Sequence, residues 1–262
     1  MKKSYPLITI ATVTFNAEDV LERTLQSVER QNYPRIEHLI VDGCSTDNTL
    51  SLVRQCVERN VNPIHSIRIV SETDKGLYDA MNKAIALAEG DYIVFLNAGD
   101  KLHADDTIEE MVKTIEWEHR GVNPAVVYGE TDLVDIDGNF LRHRRLKTPE
   151  RLTSDSFLNG MLVCHQSFYV RTDIAKQMPY NLDYRFSADF DWCIRIMKRA
   201  EKRRIRMVNS HLILTDYLNE GLTTKNHRKS LIERFNIMTV HYGWFTAVCA
   251  HVWFVLRSLL LK

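Results

Sequence analysis

Excess charge is missing from this chain: Lys and Arg number 34, and so do Asp and Glu. No global field draws it to nucleic acid, so any anion-binding surface must be local. The five cysteines, Cys44, Cys56, Cys164, Cys193 and Cys249, are scattered, odd in number and never arranged as Cys-x-x-Cys. That pattern disfavours a disulfide framework and a zinc site, and implies reduced, mostly buried thiols in a cytosolic protein. No G-x-G-x-x-G, P-loop, G-x-S-x-G or H-E-x-x-H occurs, which makes a dinucleotide enzyme, a P-loop kinase and a serine hydrolase poor guesses. Internal repeats, low-complexity tracts and a Pro/Gly/Ser-rich linker are also absent. What remains is 262 residues of ordinary globular composition, 45% hydrophobic and 26% charged, enough to bury roughly three quarters of the unfolded surface in one α/β domain or two small ones.

The opening MKKSYPLITIATVTF has the lysines of a secretory signal, but its apolar run is β-branched, is interrupted by Thr12 and Thr14, and leads into a helix start. It reads as a strand over 7–15. Val20, Leu21, Thr24, Leu25 and Val28 then recur at helical spacing. The pattern repeats: a strand over 36–43, a helix capped at Ser45-Thr46-Asp47 and running to about Arg59, a strand over 67–72, a helix from Leu77 to Ala88 stopped by Gly90, and a strand over 92–97. Strands alternating with helices of this length imply βαβ units and a parallel sheet. Beyond a helix at about 105–120, two short runs flank Asp137-Gly138, a hairpin signal that adds a small antiparallel piece. Helices are expected near 187–201 and 226–241.

Ligands of such sheets bind beyond the carboxyl ends of the strands. Polar residues cluster there: Thr14 and Asn16, Asp42, Glu72 and Asp74, then Asn97 and Asp100, with Asp189-Phe190-Asp191 later. Carboxylates in these positions suit two tasks, accepting hydrogen bonds from a nucleoside and holding a divalent cation against a diphosphate.

The run TVTFNAEDVLERTLQSVERQNYPRIEHLIVDGCSTDNT, followed by SETDKGLYDAMNKAIALAEGDYIVFLNAGD, closely resembles family 2 glycosyltransferases of the GT-A fold, particularly bacterial enzymes of cell-surface polysaccharide synthesis. The likeness is strong over about 7–100 and looser through CHQSFYV (164–170) and SADFDWCIR (187–195). It implies that Asp42 reads the donor base, with a turn carboxylate as the plain alternative, and that Asp74 contacts the nucleoside rather than being a simple loop acid. Thr14 and Asn16 would line the same pocket. Lys75 would approach phosphate or be a solvated lysine, and Asp47 is equally an ordinary helix-start residue. Relatives often end the fourth strand Asp-x-Asp-Asp, whereas here it is Asn97-Ala98-Gly99-Asp100. Asp100 would then be the main protein ligand for Mg²⁺ or Mn²⁺, with Asn97 as an amide ligand or sugar contact. Asp189 aligns with the family's catalytic base, although Ala188 replaces the usual preceding Glu; Asp191 is the reserve, and a helix cap is the bland role for Asp189. His165-Gln166 matches the acceptor-side wall, His211 is a weak late candidate for metal or phosphate, and Thr223, Thr224 and Lys225 sit in a loop that closes over the donor.

The tail, 244–262, is apolar but contains His251 and Arg257, which makes it marginal for a span of ~20 residues. Trp244, Phe245, Val248, Val252, Trp253, Leu256 and Leu260 share one helical stripe. An in-plane helix on the inner face of the cell membrane, a homo-oligomer contact and a core helix are the readings, and the basic runs 142–145 and 202–204 would meet anionic lipid in the first. The expected protein is therefore a GT-A-like α/β domain over 1–225, with a nucleotide-binding half (1–100) and an acceptor half (101–225), plus a helical extension over 226–262. It would move one sugar, with inversion, from a nucleotide diphosphate sugar, UDP favoured, to a hydroxyl of a lipid-linked or oligosaccharide acceptor, in the cytoplasm or peripherally at the membrane. Two other readings remain: a nucleotidyltransferase, which would carry a Gly-rich basic loop absent here, and a catalytically idle sugar-nucleotide-binding scaffold.

Overall fold

The structure, a computed structural model, describes residues 5–60, 65–115, 123–219 and 227–260. Strands β1 (Ile8–Thr14), β2 (Ile36–Asp42) and β4 (Tyr92–Phe95) are buried along their whole length. That explains why apolar residues fall on both faces of each strand, because a strand covered on both sides has no solvent side to alternate towards; the polar side chains buried among them pair with one another, Thr9 with Glu37 and Thr12 with His38. β1 pairs in parallel with β2 and β4, and β2 in parallel with β3 (His65–Ser71). Helices α1 (Glu18–Glu29), α2 (Thr49–Arg59) and α3 (Leu77–Leu87) make the crossovers. α1 buries Leu21, Thr24, Leu25 and Val28, the stripe read from the sequence.

The second half is not a continuation of this repeat. β8 (Phe168–Arg171) runs antiparallel between β4 and β6 (Val126–Val134). β9 (Met207–Leu218) lies parallel to β6, and the two-residue β5 (Lys101–Leu102) closes the far edge antiparallel to β9. The order is β3-β2-β1-β4-β8-β6-β9-β5. β7 (Phe140–His143) forms the expected hairpin with β6, where Gly138 takes φ 88° and the Asp135 carboxylate accepts from the backbone N–H groups of Asp137 and Asn139. Helices α4 (Thr107–Thr114) and α5 (Thr172–Ala175) are short, and α6 (Ala188–Lys202) is the main helix of this half. Its Trp192 is fully buried, stacks on Tyr180 at 4.8 Å and donates its indole N–H to the Met178 carbonyl at 2.7 Å. This aromatic core, joined by Phe95 and Phe168, fixes the end of α6 against the end of β4.

Several expectations need correction. α2 starts at Thr49, not at a Ser45–Asp47 cap: the Ser45 hydroxyl turns back to Asp42, while Asp47 accepts from the N–H groups of Thr49 and Glu18. Only Cys56 and Cys193 are buried, and Cys44 and Cys249 are exposed. α4 ends at Thr114, and 116–122 lie outside the described residues. In the basic run 142–145, Arg144 is committed to the carbonyls of Met161 and Leu162.

α7 (His227–Tyr242) and α8 (Trp244–Leu260) follow β9 and pack on each other, α7 also on α6 and α8 on the 3₁₀ turn Ser154–Asn159. The core face of α8 is Ala247, with Ala250 and Phe254 partly buried beside it. Trp244 (64% exposed), Phe245 (75%), Val252, Trp253 and Leu256 face outward, so the core reading of that stripe does not hold. Among the described residues no helix is long and apolar enough to cross a membrane.

Candidate active site

The ends of β1 and β2 and the loop after β3 form one wall. Asp42, the last residue of β2, is fully buried. Its carboxylate accepts hydrogen bonds from the Ser45 N–H and hydroxyl and from the Ser71 hydroxyl, which leaves little capacity for a ligand without rearrangement of a serine. The Asp74 carboxylate closes a tight turn by accepting from the Gly76 N–H at 2.7 Å, and its other oxygen lies over Gly43, where an added Cβ would stand 2.6 Å away. The same Cβ would come within 3.3 Å of Phe15. Phe15 follows β1 directly and is 63% exposed, so an aromatic face and a carboxylate flank a glycine that any side chain would obstruct. Asn16, at φ 47°, braces this wall: its side-chain oxygen accepts from the Thr46 N–H. The Thr14 hydroxyl is buried with no partner among the described residues. Lys75 is exposed beside Asp74.

The second wall joins β4 to α6. Asp100 is 3% exposed; its carboxylate accepts from Gln166 Nε2 and from the Leu218 N–H, each at 2.9 Å. Burial pushes its pKa up to about 6 against these two bonds. The adjacent Asn97 Oδ1 is buried without a partner among the described residues. The Asp100 carboxylate and the Asn97 amide oxygen suit a hard cation such as Mg²⁺ or Mn²⁺, which would offset the cost of the buried charge. The residues present therefore fit a divalent cation.

His165 bridges the two elements. Its Nδ1 is 3.2 Å from Asp189 Oδ2, and its Nε2 faces the Asn97 side-chain nitrogen at 3.4 Å. Tyr78, in the first turn of α3, donates its hydroxyl to Asp189 Oδ1 at 3.0 Å. Burial works to raise the pKa of Asp189, but the hydrogen bond and charge of His165, with the charge of Arg234 and the Tyr78 hydroxyl, outweigh it and hold Asp189 below the ordinary carboxylate range. Asp100 and Asp189 are thus pushed in opposite directions, the separation that lets two acids take different roles.

Asp189 is not the cap of α6, since that position is Ser187. The turn before it is held instead by Glu233 of α7, whose carboxylate accepts from the N–H groups of Arg185, Phe186 and Ser187 at 2.7–2.8 Å. A carboxylate expected at position 188 thus reaches the same turn from another helix. Asp191 cannot serve as the reserve base: it is locked between Arg195 (2.6 Å) and His241 (2.7 Å) and fastens α6 to α7. Gln166 is 1% exposed and positions Asp100, so it does not line an acceptor wall. His211 is exposed, 3.6 Å from Glu150, away from this cluster. Thr223, Thr224 and Lys225 lie outside the described residues. Sequence reasoning missed Phe15, Tyr78 and Glu233. An aromatic between Thr14 and Asn16 at a strand exit was a readable signal for the first; the other two act through tertiary contacts alone.

The sequence profile described as Glycosyl transferase family 2 matches residues 9–177. A PGL/p-HBAD biosynthesis glycosyltransferase of Mycobacterium bovis is 31% identical over 237 residues, covering 89% of this chain and 86% of that protein. Two solved structures share the fold: Staphylococcus aureus TarS 1-349 in complex with UDP (TM-score 0.65, 16% identity, 90% of this chain and 66% of that one) and the mannosyltransferase PcManGT of Pyrobaculum calidifontis in complex with GDP-Man and Mn²⁺ (TM-score 0.63, 18% identity, 95% and 74%).

Proposed function

This chain belongs to glycosyl transferase family 2, and from that premise we propose that it transfers one sugar, with inversion, from a nucleotide diphosphate sugar to a hydroxyl of a lipid-linked or oligosaccharide acceptor in surface polysaccharide synthesis. UDP is the favoured nucleotide. The observation that carries the reading is the link Asn97–His165–Asp189, which ties the donor end of β4 to a candidate base at the start of α6.

Phe15, Asp74, Thr14, Asp42 and Asn16 form the nucleoside pocket; Lys75, with Thr223 and Thr224, meets the diphosphate; Asn97 contacts the sugar. Asp100 and Asn97 would hold Mg²⁺ or Mn²⁺, which when bound supplies positive charge to the departing diphosphate. Asp189 accepts the proton of the acceptor hydroxyl as its oxygen bonds to the anomeric carbon, and the bond from that carbon to the diphosphate breaks on the opposite face. His165 and Tyr78 fix the carboxylate that does this. Residues 1–225 form the transferase unit, with donor half 1–100 and acceptor half 101–225, and 226–262 the extension.

The exposed aromatic stripe of α8, which carries no acidic residue, supports a cytoplasmic protein lying peripherally on the inner membrane face, where a lipid-linked acceptor is presented. Truncation after Tyr242 is expected to abolish binding to anionic liposomes; unchanged binding would remove this part, and a concentration-dependent dimer would favour the homo-oligomer reading instead. The activity is tested by thermal-shift screening of nucleotide sugars followed by transfer assays with Mg²⁺ or Mn²⁺: donor binding with no turnover for any donor would favour the idle scaffold.

A further inference from the structure

One register row crosses four neighbouring strands: Lys101 of β5, Asp216 of β9, Asp132 of β6 and His143 of β7. Directly paired residues point to the same face, so these side chains stand side by side. The side chains of Asp216 and Asp132 are 8% and 5% exposed. Two carboxylates in register repel each other, and burial adds desolvation to that repulsion. Lys101 Nζ, 3.1 Å from Asp216 Oδ2, supplies one compensating charge. Otherwise the pair is met by imidazoles: His103 Nδ1 is 2.7 Å from Asp216 Oδ1, and His143 Nδ1 is 2.7 Å from Asp132 Oδ1.

One ligand atom from each of His103, Asp132 and Asp216 lies within 4.8 Å of the other two. We propose that these three residues bind a borderline divalent cation of the Zn²⁺ class, at a site separate from the donor cation. An imidazole with two carboxylates is a donor set for such an ion, unlike the oxygen-only pair at Asn97 and Asp100. His143 orients Asp132 from outside, and Lys101 holds the second oxygen of Asp216 so that the first faces the ion. Both imidazoles are partly open to solvent, at 39% and 61% exposure, which gives the ion a route in. The ion would fasten β9 to β5 and β6. Asp100 immediately precedes β5, and its carboxylate is held by the N–H of Leu218, two residues beyond Asp216, so the same strands seat the donor-site carboxylate.

The test uses the full chain stripped of metal and free of nucleotide. Co²⁺ titration followed by visible absorption, and Zn²⁺ titration by calorimetry, are expected to show one equivalent bound. His103→Gln and Asp132→Asn should each weaken binding by about tenfold or more, Asp100→Asn should leave it unchanged, and excess Mg²⁺ should not displace the ion. His103 is at the surface, so its variant tests the site even if Asp132→Asn fails to fold. Absence of binding in the wild type, binding that survives His103→Gln, or binding lost in Asp100→Asn would overturn the proposal, the first outcome meaning that the row is a ladder of ion pairs. No nucleotide or acceptor is present, so failure here leaves the transferase reading intact.

Discussion

Asp100 is a carboxylate at 3% exposure whose pKa burial raises from 3.8 to about 6. A native pKa above the unfolded value means that the folded chain binds the proton more tightly. The group's charge therefore costs stability progressively as pH rises from about 4 through 6, and the cost is complete above that. A difference of about two pH units corresponds to roughly 3 kcal/mol. Asp100→Asn removes this titration but leaves one of the two donors, Gln166 Nε2 or the Leu218 N–H, without its acceptor, a loss of ~1–3 kcal/mol that does not vary with pH. Urea unfolding of the metal-free proteins should then show the variant gaining about 3 kcal/mol on the wild type between pH 4 and pH 8. Divalent cation and donor together should reverse the gain at pH 8, since only the wild type has the carboxylate proposed to hold the cation. A stability difference that stays flat across this range would refute the reading of Asp100 as a buried charge whose cost its two hydrogen bonds only partly offset.

Phe15→Ala should weaken donor binding by ~1–3 kcal/mol, the worth of stacking on a base, with the melting temperature unchanged because the ring is exposed; equal donor affinity by calorimetry would remove Phe15 from the pocket. Asp191→Asn breaks a buried ion pair and should destabilise by ~3–5 kcal/mol, while kcat measured below the new melting temperature stays near normal. Burial opposes the charge of Asp191, but His241 and Arg195 hold its pKa below the ordinary value. Its stabilising effect is therefore present above the unfolded pKa and lost as pH falls below it, so the wild type should converge on the variant in acid. A tenfold or larger fall in kcat would restore Asp191 to the chemistry.

The N-terminal half was legible because its signals are local. β1, β2 and β4 are buried on both faces and are rich in apolar residues, and the polar residues Thr14, Asp42 and Asn97 stand at or just beyond their carboxyl ends. The second half was not legible in the same way. β8 is four residues long and gains strand character by insertion between β4 and β6, and β9 is irregular where His211 takes φ 60° and the register with β6 shifts. Asp189 was singled out by resemblance, but the contacts around it could not be: His165 reaches it across 24 positions, Tyr78 across 111, and Glu233 supports its turn from α7. Spacing does not encode such contacts. Gln166 and Asp191 were misread for the same reason, since only the fold shows that one holds Asp100 and the other binds two helices together.

In the proposed reaction Asp189 takes the acceptor proton in a sugar transfer from a nucleotide donor. The most direct test is steady-state transfer by Asp189→Asn, with donor affinity measured on the same preparation. The account predicts a fall in kcat of roughly 10²–10⁴ with donor affinity nearly unchanged. Near-normal turnover in this variant would contradict it.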